Sequence, residues 1–334
     1  MRDRETLVIA TWGMPANWQE TNYSFSDEKL KKSGKGKFCT TLPLLLEVFK
    51  EADFVLLVLD SLVDEFSPKG QPLQGACYEC YDELRGKVKE SGNAGTYEEL
   101  RIRVKQFVEE YVSCLLNSYG RTGRVEAVVC PAVGSPGGKW FFEGNAADFE
   151  AVALYELGKT AVGRPYKRIV LDLTHGINFM PALTLRLAEK LAGLLLATYA
   201  ELHREGVELL VYNSDPVRSP SNHVNVNRIA RTRIRSILVP QDLPKKILRA
   251  REREEIRTIN TRYSDSVKLT ISAMVYPMPL VLSMSRIKAA NSPAILEEAV
   301  KLWLNRVTVR DHKVQRRLAL SPEGVYALLL SSKA

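Results

Sequence analysis

Thr174, His175 and Asn178 lie close together around Gly176, directly behind the apolar run Ile169–Leu173. A hydroxyl, an imidazole and a carboxamide are compact groups that donate and accept hydrogen bonds without fixed charge. A glycine among them lets a ligand approach the backbone. The helical pattern that follows begins with N–H groups lacking intrahelical partners, which favour an anionic group such as a phosphate. Two other stretches have the same character: Thr11-Trp12-Gly13-Met14-Pro15, and Pro131–Gly138 with Gly134, Ser135, Gly137 and Gly138. An aromatic face, exposed amides and short polar side chains suit a nucleotide, with its base on the ring and its phosphates on the amides. There is no Gly-Lys-Ser/Thr phosphate loop and no Gly-x-Gly-x-x-Gly fingerprint after the first strand. His175 reads equally as a ligand contact or a helix cap, Asn178 as a contact or an N-cap, and Trp12 and Trp18 as core or stacking surfaces.

These turns must be held by strands. Glu5–Ala10, Phe54–Leu59, Val125–Val129, Ile169–Leu173 and Val207–Tyr212 read as strands. Thr41–Lys50, Ala146–Leu157 and Ala182–His203 read as helices between them. Such alternation predicts an α/β fold, a Rossmann-like and mainly parallel sheet covered on both faces, whose ligands bind at the carboxyl ends of the strands. The helical stretches Tyr78–Lys89 and Tyr97–Leu116 are then an insertion or extended crossover. Beyond about residue 235 the pattern changes. Pro240–Thr258 predicts a charged helix, Pro277 and Pro279 punctuate an apolar stretch, and Ala294–Asn305 predicts a helix. Val307–Leu320 predicts a β-hairpin, and Pro322-Glu323-Gly324 opens a last helix. The expected division is therefore 1–235 and 236–334, the second part a small helical or winged-helix-like domain.

With 45% hydrophobic and 26% charged residues, the composition is that of a soluble globular protein. No apolar run approaches the ~18 residues of a membrane span, and no signal peptide is apparent, so a cytoplasmic protein without a membrane partner is expected. Five cysteines suggest no disulfide framework, and Cys77-x-x-Cys80 lacks the second pair of a zinc site. It reads as two thiols on a helix or as a redox or stapling pair. Between Arg228 and Arg262, 11 Lys/Arg stand against 4 Asp/Glu, a net of +7. That stretch predicts either a solvated helix face or, with Arg306–Arg317, a surface for RNA or DNA.

Taken together, these residues resemble the CARF domains of type III CRISPR antiviral systems over roughly residues 5–235. The likeness rests on Thr-Trp-Gly-x-Pro after the first strand, on Val55–Asp60, on Phe142-Glu143-Gly144 followed by Asp148-Phe149, and above all on Asp172-Leu173-Thr174-His175-Gly176-Ile177-Asn178. The resemblance implies a homodimer whose two pockets join across the two-fold to hold one cyclic oligoadenylate, usually cyclic tetra-adenylate. No cofactor or metal is implied. The binding positions carried over are Thr11, Trp12, Gly13, Gly134, Ser135, Gly137, Gly138, Thr174, His175, Gly176 and Asn178. A symmetric ligand fits the isologous interface of such a dimer.

The resemblance leaves the output open. Many CARF proteins carry a C-terminal HEPN ribonuclease marked by Arg, four to six residues, then His. Arg306 and His312 have that spacing, although Val307, Thr308 and Val309 between them favour strand over helix. Other relatives are metal-independent ring nucleases that cleave the messenger in the CARF pocket. There Thr11 would supply the hydroxyl, and Asn178 stands where a lysine often supplies charge. A ligand-controlled DNA-binding regulator using the basic stretches is the third reading.

Overall fold

In a computed structural model, residues 5–64, 75–161, 163–216, 223–240, 243–250, 253–276, 278, 281–282 and 289–333 are described. Met1–Arg4, Pro277 and Pro279 lie outside them. The first half runs β1 (Thr6–Trp12), β2 (Thr21–Asp27), β3 (Lys32–Phe38), α1 (Leu42–Val48), β4 (Asp53–Leu59), α2 (Ala76–Ser91), α3 (Tyr97–Ser118) and β5 (Val125–Cys130). It continues through β6 (Phe141–Glu143), α4 (Ala147–Ala161), β7 (Arg168–His175), α5 (Met180–Thr198), α6 (Leu202–Glu205), β8 (Val207–Ser214) and β9 (His223–Ile234).

Eight strands form one sheet in the order β3-β2-β9-β8-β7-β1-β4-β5. β1 lies between β7 and β4 and is parallel to both. All seven residues of β1 are buried, as expected of a central strand covered on both faces. Two antiparallel contacts complete the sheet, β8 with β9 and β2 with β3. Within the β2–β3 ribbon, β2 alternates with Tyr23 and Phe25 buried, whereas β3 reads Lys-Ser-Gly-Lys-Gly-Lys-Phe and gains its register from β2.

Helices α2 and α3 pack on each other as the inserted hairpin. Here the structure overturns the reading of the cysteines. Cys39 is bonded to Cys77 and Cys80 to Cys114, and Cys130 alone is free. The partners come from three separate elements, so sequence spacing could not pair them. The first bridge fastens α2 to the chain just ahead of α1, and the second fastens α2 to α3.

The remaining elements are β10 (Leu248–Arg249), α7 (Glu254–Val275), α8 (Ser292–Asn305), β11 (Val307–Arg310), β12 (Lys313–Arg316), β13 (Ala319–Leu320) and α9 (Pro322–Ser331). The charged helix expected over Pro240–Thr258 instead begins at Glu254, after the short strand β10, which pairs with β13. The expected hairpin forms. Asp311 and His312 at its tip both have positive φ, 49° and 58°, which matches the turn chemistry of a two-residue β-hairpin loop. The hairpin does not stand free as a wing, because β12 also pairs in parallel with β6. Residues on either side of 235/236 are thus interlocked: β12 lies on β6, and α9 packs on α4 and α5. Ser321 caps α9, its hydroxyl accepting from the Gly324 N–H at 3.2 Å. Among the described residues no helix is long and apolar enough to cross a membrane.

Candidate functional site

The carboxyl ends of β1 and β7 are adjacent, and their two turns are joined directly. The Gly13 N–H donates to the His175 carbonyl at 2.8 Å. The approach is close enough to require glycine: a Cβ on Gly176 would stand 2.4 Å from the Thr11 hydroxyl oxygen, and one on Gly13 would stand 2.6 Å from the Ile177 side chain. Behind the turns Asp172 is buried and bonds in two directions. One carboxylate oxygen accepts from the Thr174 N–H at 3.1 Å, and the other accepts the Thr41 hydroxyl at the start of α1. The Thr41 N–H in turn donates to His175 Nε2 at 3.3 Å. His175 is therefore neutral with Nε2 as acceptor. Its burial pushes the imidazole down to about 4, against the opposing pull of the Asp172 carboxylate.

The expected contacts differ in exposure. Thr174, His175 and Gly176 are half-buried and Asn178 is exposed. The Thr174 hydroxyl is itself buried and has no hydrogen-bond partner among the described residues. Asn178 has φ 51°, left-handed backbone that asparagine tolerates. It is not an N-cap, since α5 is preceded by Phe179. Thr11, by contrast, is fully buried, with its hydroxyl turned to the Asp172 carbonyl at 3.4 Å. Trp12 is also buried, edge-on to Trp18 and Tyr111. Both readings as direct side-chain contacts are corrected: alternation sends Thr11 and Trp12 to opposite faces of β1, and both faces are covered, so neither side chain reaches the surface. The aromatic beside the site is Trp18, half-buried, with its ring centroid 5.1 Å from that of His175.

The Gly134–Gly138 loop follows β5, two strands from β1 and so about 10 Å away along the same edge. Gly134 and Gly138 have φ 88° and 90°, which permits the turn that exposes Ser135 and Gly138. The Ser135 hydroxyl donates to the Trp140 carbonyl at 2.6 Å, and Asp64 accepts the Lys139 and Trp140 N–H groups, each at 3.0 Å. Beneath the loop, Asp60 at the end of β4 accepts from the Ala132 N–H at 2.7 Å, from the Tyr97 hydroxyl at 2.7 Å and from Arg316 of β12 at 2.9 Å. Thr41, Asp60 and Arg316 are site-forming residues that sequence reasoning missed, whereas Trp18 was read as either core or stacking surface. For Thr41 one signal existed, a Thr pair ahead of Leu42-Pro43, which marks a helix start.

A family model described as "CRISPR system endoribonuclease Csx1, CARF domain" matches residues 7–216. The chain belongs to the Csx1 CARF-domain family. It is also 26% identical to the CRISPR system endoribonuclease Csx1 of Methanocaldococcus jannaschii, over 97% of this chain and 65% of that protein. The chain thus spans about 65% of the length of that Csx1 relative. The joined turns after β1 and β7 lie inside the matched CARF region, whereas Arg306 and His312 lie outside it.

Arg306 and His312 do not form the expected ribonuclease pair. Arg306 is the C-cap of α8 and ion-pairs with Glu255 at 2.8 Å. His312 sits in the hairpin turn with its ring edge-on to Trp140 at 5.2 Å. The β-branched residues between them form β11, so the two side chains share no helix face. Of the basic stretch at 228–262, Arg228 pairs with Asp27, and Arg231 and Arg233 pair with Glu208.

Proposed function

We propose that the chain is a sensor of cyclic oligoadenylate, with cyclic tetra-adenylate as the fitting ring, bound across a homodimer and coupled to a nuclease-type response in type III CRISPR defence. The observation that carries this reading is the pair of joined turns at the ends of β1 and β7. They bring Thr174, His175, Gly176 and Asn178 together at one sheet edge, with Asn178 exposed, beside Trp18 and along from the Gly134–Gly138 loop. One copy offers an open edge. A second copy related by a two-fold would repeat it and match the symmetry of a ring of adenosines. Neutral donors and backbone amides suit phosphodiesters, and Trp18 suits a base. The endoribonuclease activity named for the relative supports an RNA-directed output.

The ring-nuclease alternative has less support, because the Thr11 hydroxyl is turned inward and no cation stands at Asn178. The DNA-regulator alternative is weakened by the carboxylates that already pair Arg228, Arg231 and Arg233. The deciding experiment is calorimetric titration of cyclic tetra-adenylate. Heat that saturates at one ring per two chains is expected. Alanine at His175 or Asn178 should weaken binding by up to about tenfold each, the worth of a hydrogen bond or so. No heat and no thermal shift would end the proposal.

A further inference from the structure

The Cys77-x-x-Cys80 motif is split between two bridges. Cys77 pairs with Cys39 and Cys80 with Cys114, although Cys77 and Cys80 stand about one turn apart on the same face of α2. The bridges differ in access. Cys39, Cys77 and Cys80 are each 1% exposed, whereas Cys114 on α3 is half-buried. A thiolate arriving from solvent therefore meets Cys114 before any other of the four sulfurs.

The sulfurs also differ in what faces them. The Tyr119 hydroxyl stands 2.9 Å from Cys39 Sγ, accepts the Cys39 N–H at 3.0 Å and reaches Glu20 at 3.1 Å. Burial, and next the Glu20 carboxylate, push the Tyr119 phenol up, so it keeps a proton to offer. The Ser118 hydroxyl stands 3.7 Å from Cys80 Sγ. Among the described residues no hydroxyl hydrogen-bonds to the Cys77 or Cys114 sulfur. In thiol–disulfide exchange one sulfur is attacked and the other leaves as a thiolate. A hydroxyl against a sulfur stabilises that departing charge. Cys39 and Cys80 are thus marked as leaving groups, and Cys77 and Cys114 as points of attack.

We propose that α2 carries a thiol relay, in which a monothiol that reaches only Cys114 opens the closed Cys39–Cys77 bridge by way of Cys80. The monothiol's thiolate attacks Cys114 Sγ, the Cys80–Cys114 bond breaks, and the electron pair leaves on Cys80. The Cys80 thiolate attacks Cys77 Sγ, a Cys77–Cys80 bond forms, and Cys39 leaves and takes a proton. A second monothiol resolves the mixed disulfide on Cys114. Two monothiols are thereby oxidised to one disulfide, and two protons finish on Cys39 and Cys114. Closing the new bridge needs only a small movement in the first turn of α2, whose leading N–H groups lack intrahelical partners. The exchange unfastens α2 from the chain that leads through Thr40 to Thr41, the residue that holds Asp172 and His175. The relay stands independently of the messenger reading.

The test is disulfide mapping by mass spectrometry. The full chain is exposed to 2-mercaptoethanol for increasing times, quenched in acid, unfolded and alkylated with N-ethylmaleimide. Cys39 should be alkylated first, with Cys114 either alkylated or carrying the monothiol. Cys77 and Cys80 should remain joined within one peptide as the Cys39–Cys77 cross-link is lost. Alkylation of Cys80 and Cys114 with Cys39–Cys77 intact would overturn the relay, as would a Cys39–Cys80 product or the release of all four cysteines together. Cys114→Ser protein isolated without reductant gives a second test. Its unpaired Cys80 should already have moved the bridge, leaving Cys77–Cys80 joined and Cys39 free. Cys80→Ser/Cys114→Ser protein should retain Cys39–Cys77. Retention of Cys39–Cys77 in the single variant would also sink the proposal, and the wild-type series decides alone should that variant not fold.

Discussion

Arg316 of the C-terminal hairpin and Asp60 at the end of β4 form an ion pair 2.9 Å apart in which both side chains are fully buried. Burial pushes the Asp60 carboxyl up, and Arg316, the Tyr97 hydroxyl and the Ala132 N–H oppose that shift by stabilising its charge. The pair joins the base of the Gly134–Gly138 loop to the far end of the chain. Removing one partner strands the other charge, so Arg316→Met should cost about 3–5 kcal/mol. Arg316→Met combined with Asp60→Leu should cost less than Arg316→Met alone. Urea denaturation of the three proteins checks this, and additive losses would show that the two charges are not coupled.

Thr41 ties α1 to the buried carboxylate of Asp172. Thr41→Val keeps the shape and leaves one oxygen of that carboxylate unpaired, at a cost of about 1–3 kcal/mol. The Thr41 N–H still reaches His175, so messenger affinity should fall less than in His175→Ala. A calorimetric titration next to a urea melt separates the two effects.

Gly176 has no room for a methyl group, since its Cβ would meet the Thr11 hydroxyl. Gly176→Ala should destabilise the fold by about 1–3 kcal/mol through overpacking and displace the turn that carries His175. Binding of cyclic tetra-adenylate should drop by more than in Asn178→Ala, whose side chain is exposed. Equal affinities would show that the turn does not position the ligand.

His175 titrates near 6.5 in an unfolded chain and near 4 when folded. Between those values the unfolded state holds the extra proton, so stability from this residue is lost as pH falls from about 6.5 toward 4 and is level above. Melting temperatures of wild type and His175→Gln should lie furthest apart at pH 7 and draw together at pH 4.5. A constant gap would mean that the imidazole is not desolvated.

The Cys39–Cys77 bridge closes a loop with a sequence separation of 38, worth about 4 kcal/mol in the chain-entropy account. Cys39→Ser/Cys77→Ser should lower the urea midpoint by a corresponding amount. Dithiothreitol should lower the wild-type midpoint and change the double variant less, because only Cys80–Cys114 remains to be reduced.

The strands β1, β4 and β7 were legible because a covered parallel sheet demands near-continuous apolar runs, and the polar turns behind β1 and β7 stood out against them. Strand β3 was not, because its Lys and Gly residues carry no core-facing pattern, and β2, although Tyr23 and Phe25 alternate with polar residues, is short and was passed over. Within the site, Gly13, Thr174, His175, Gly176 and Asn178 could be read from their order along the chain. The burial of Thr11 and Trp12 could not, since it depends on cover over both faces of β1 reaching to the strand's carboxyl end. Thr41, Arg316 and the disulfide partners act on residues remote in sequence, and no local pattern announces a remote partner. The Arg306–His312 spacing fits a helix-borne pair only if a helix spans it, and Val307–Arg310 form a strand instead.

The pairing of β6 with β12 also orders events in time. Phe141–Glu143, which follow the Gly134–Gly138 loop, find their strand partner in Lys313–Gln315. A growing chain leaving the ribosome holds the loop and its flanking strand long before that partner exists. That edge is therefore finished only after Gln315 has been made, and a nascent chain shorter than this would carry an unsealed edge.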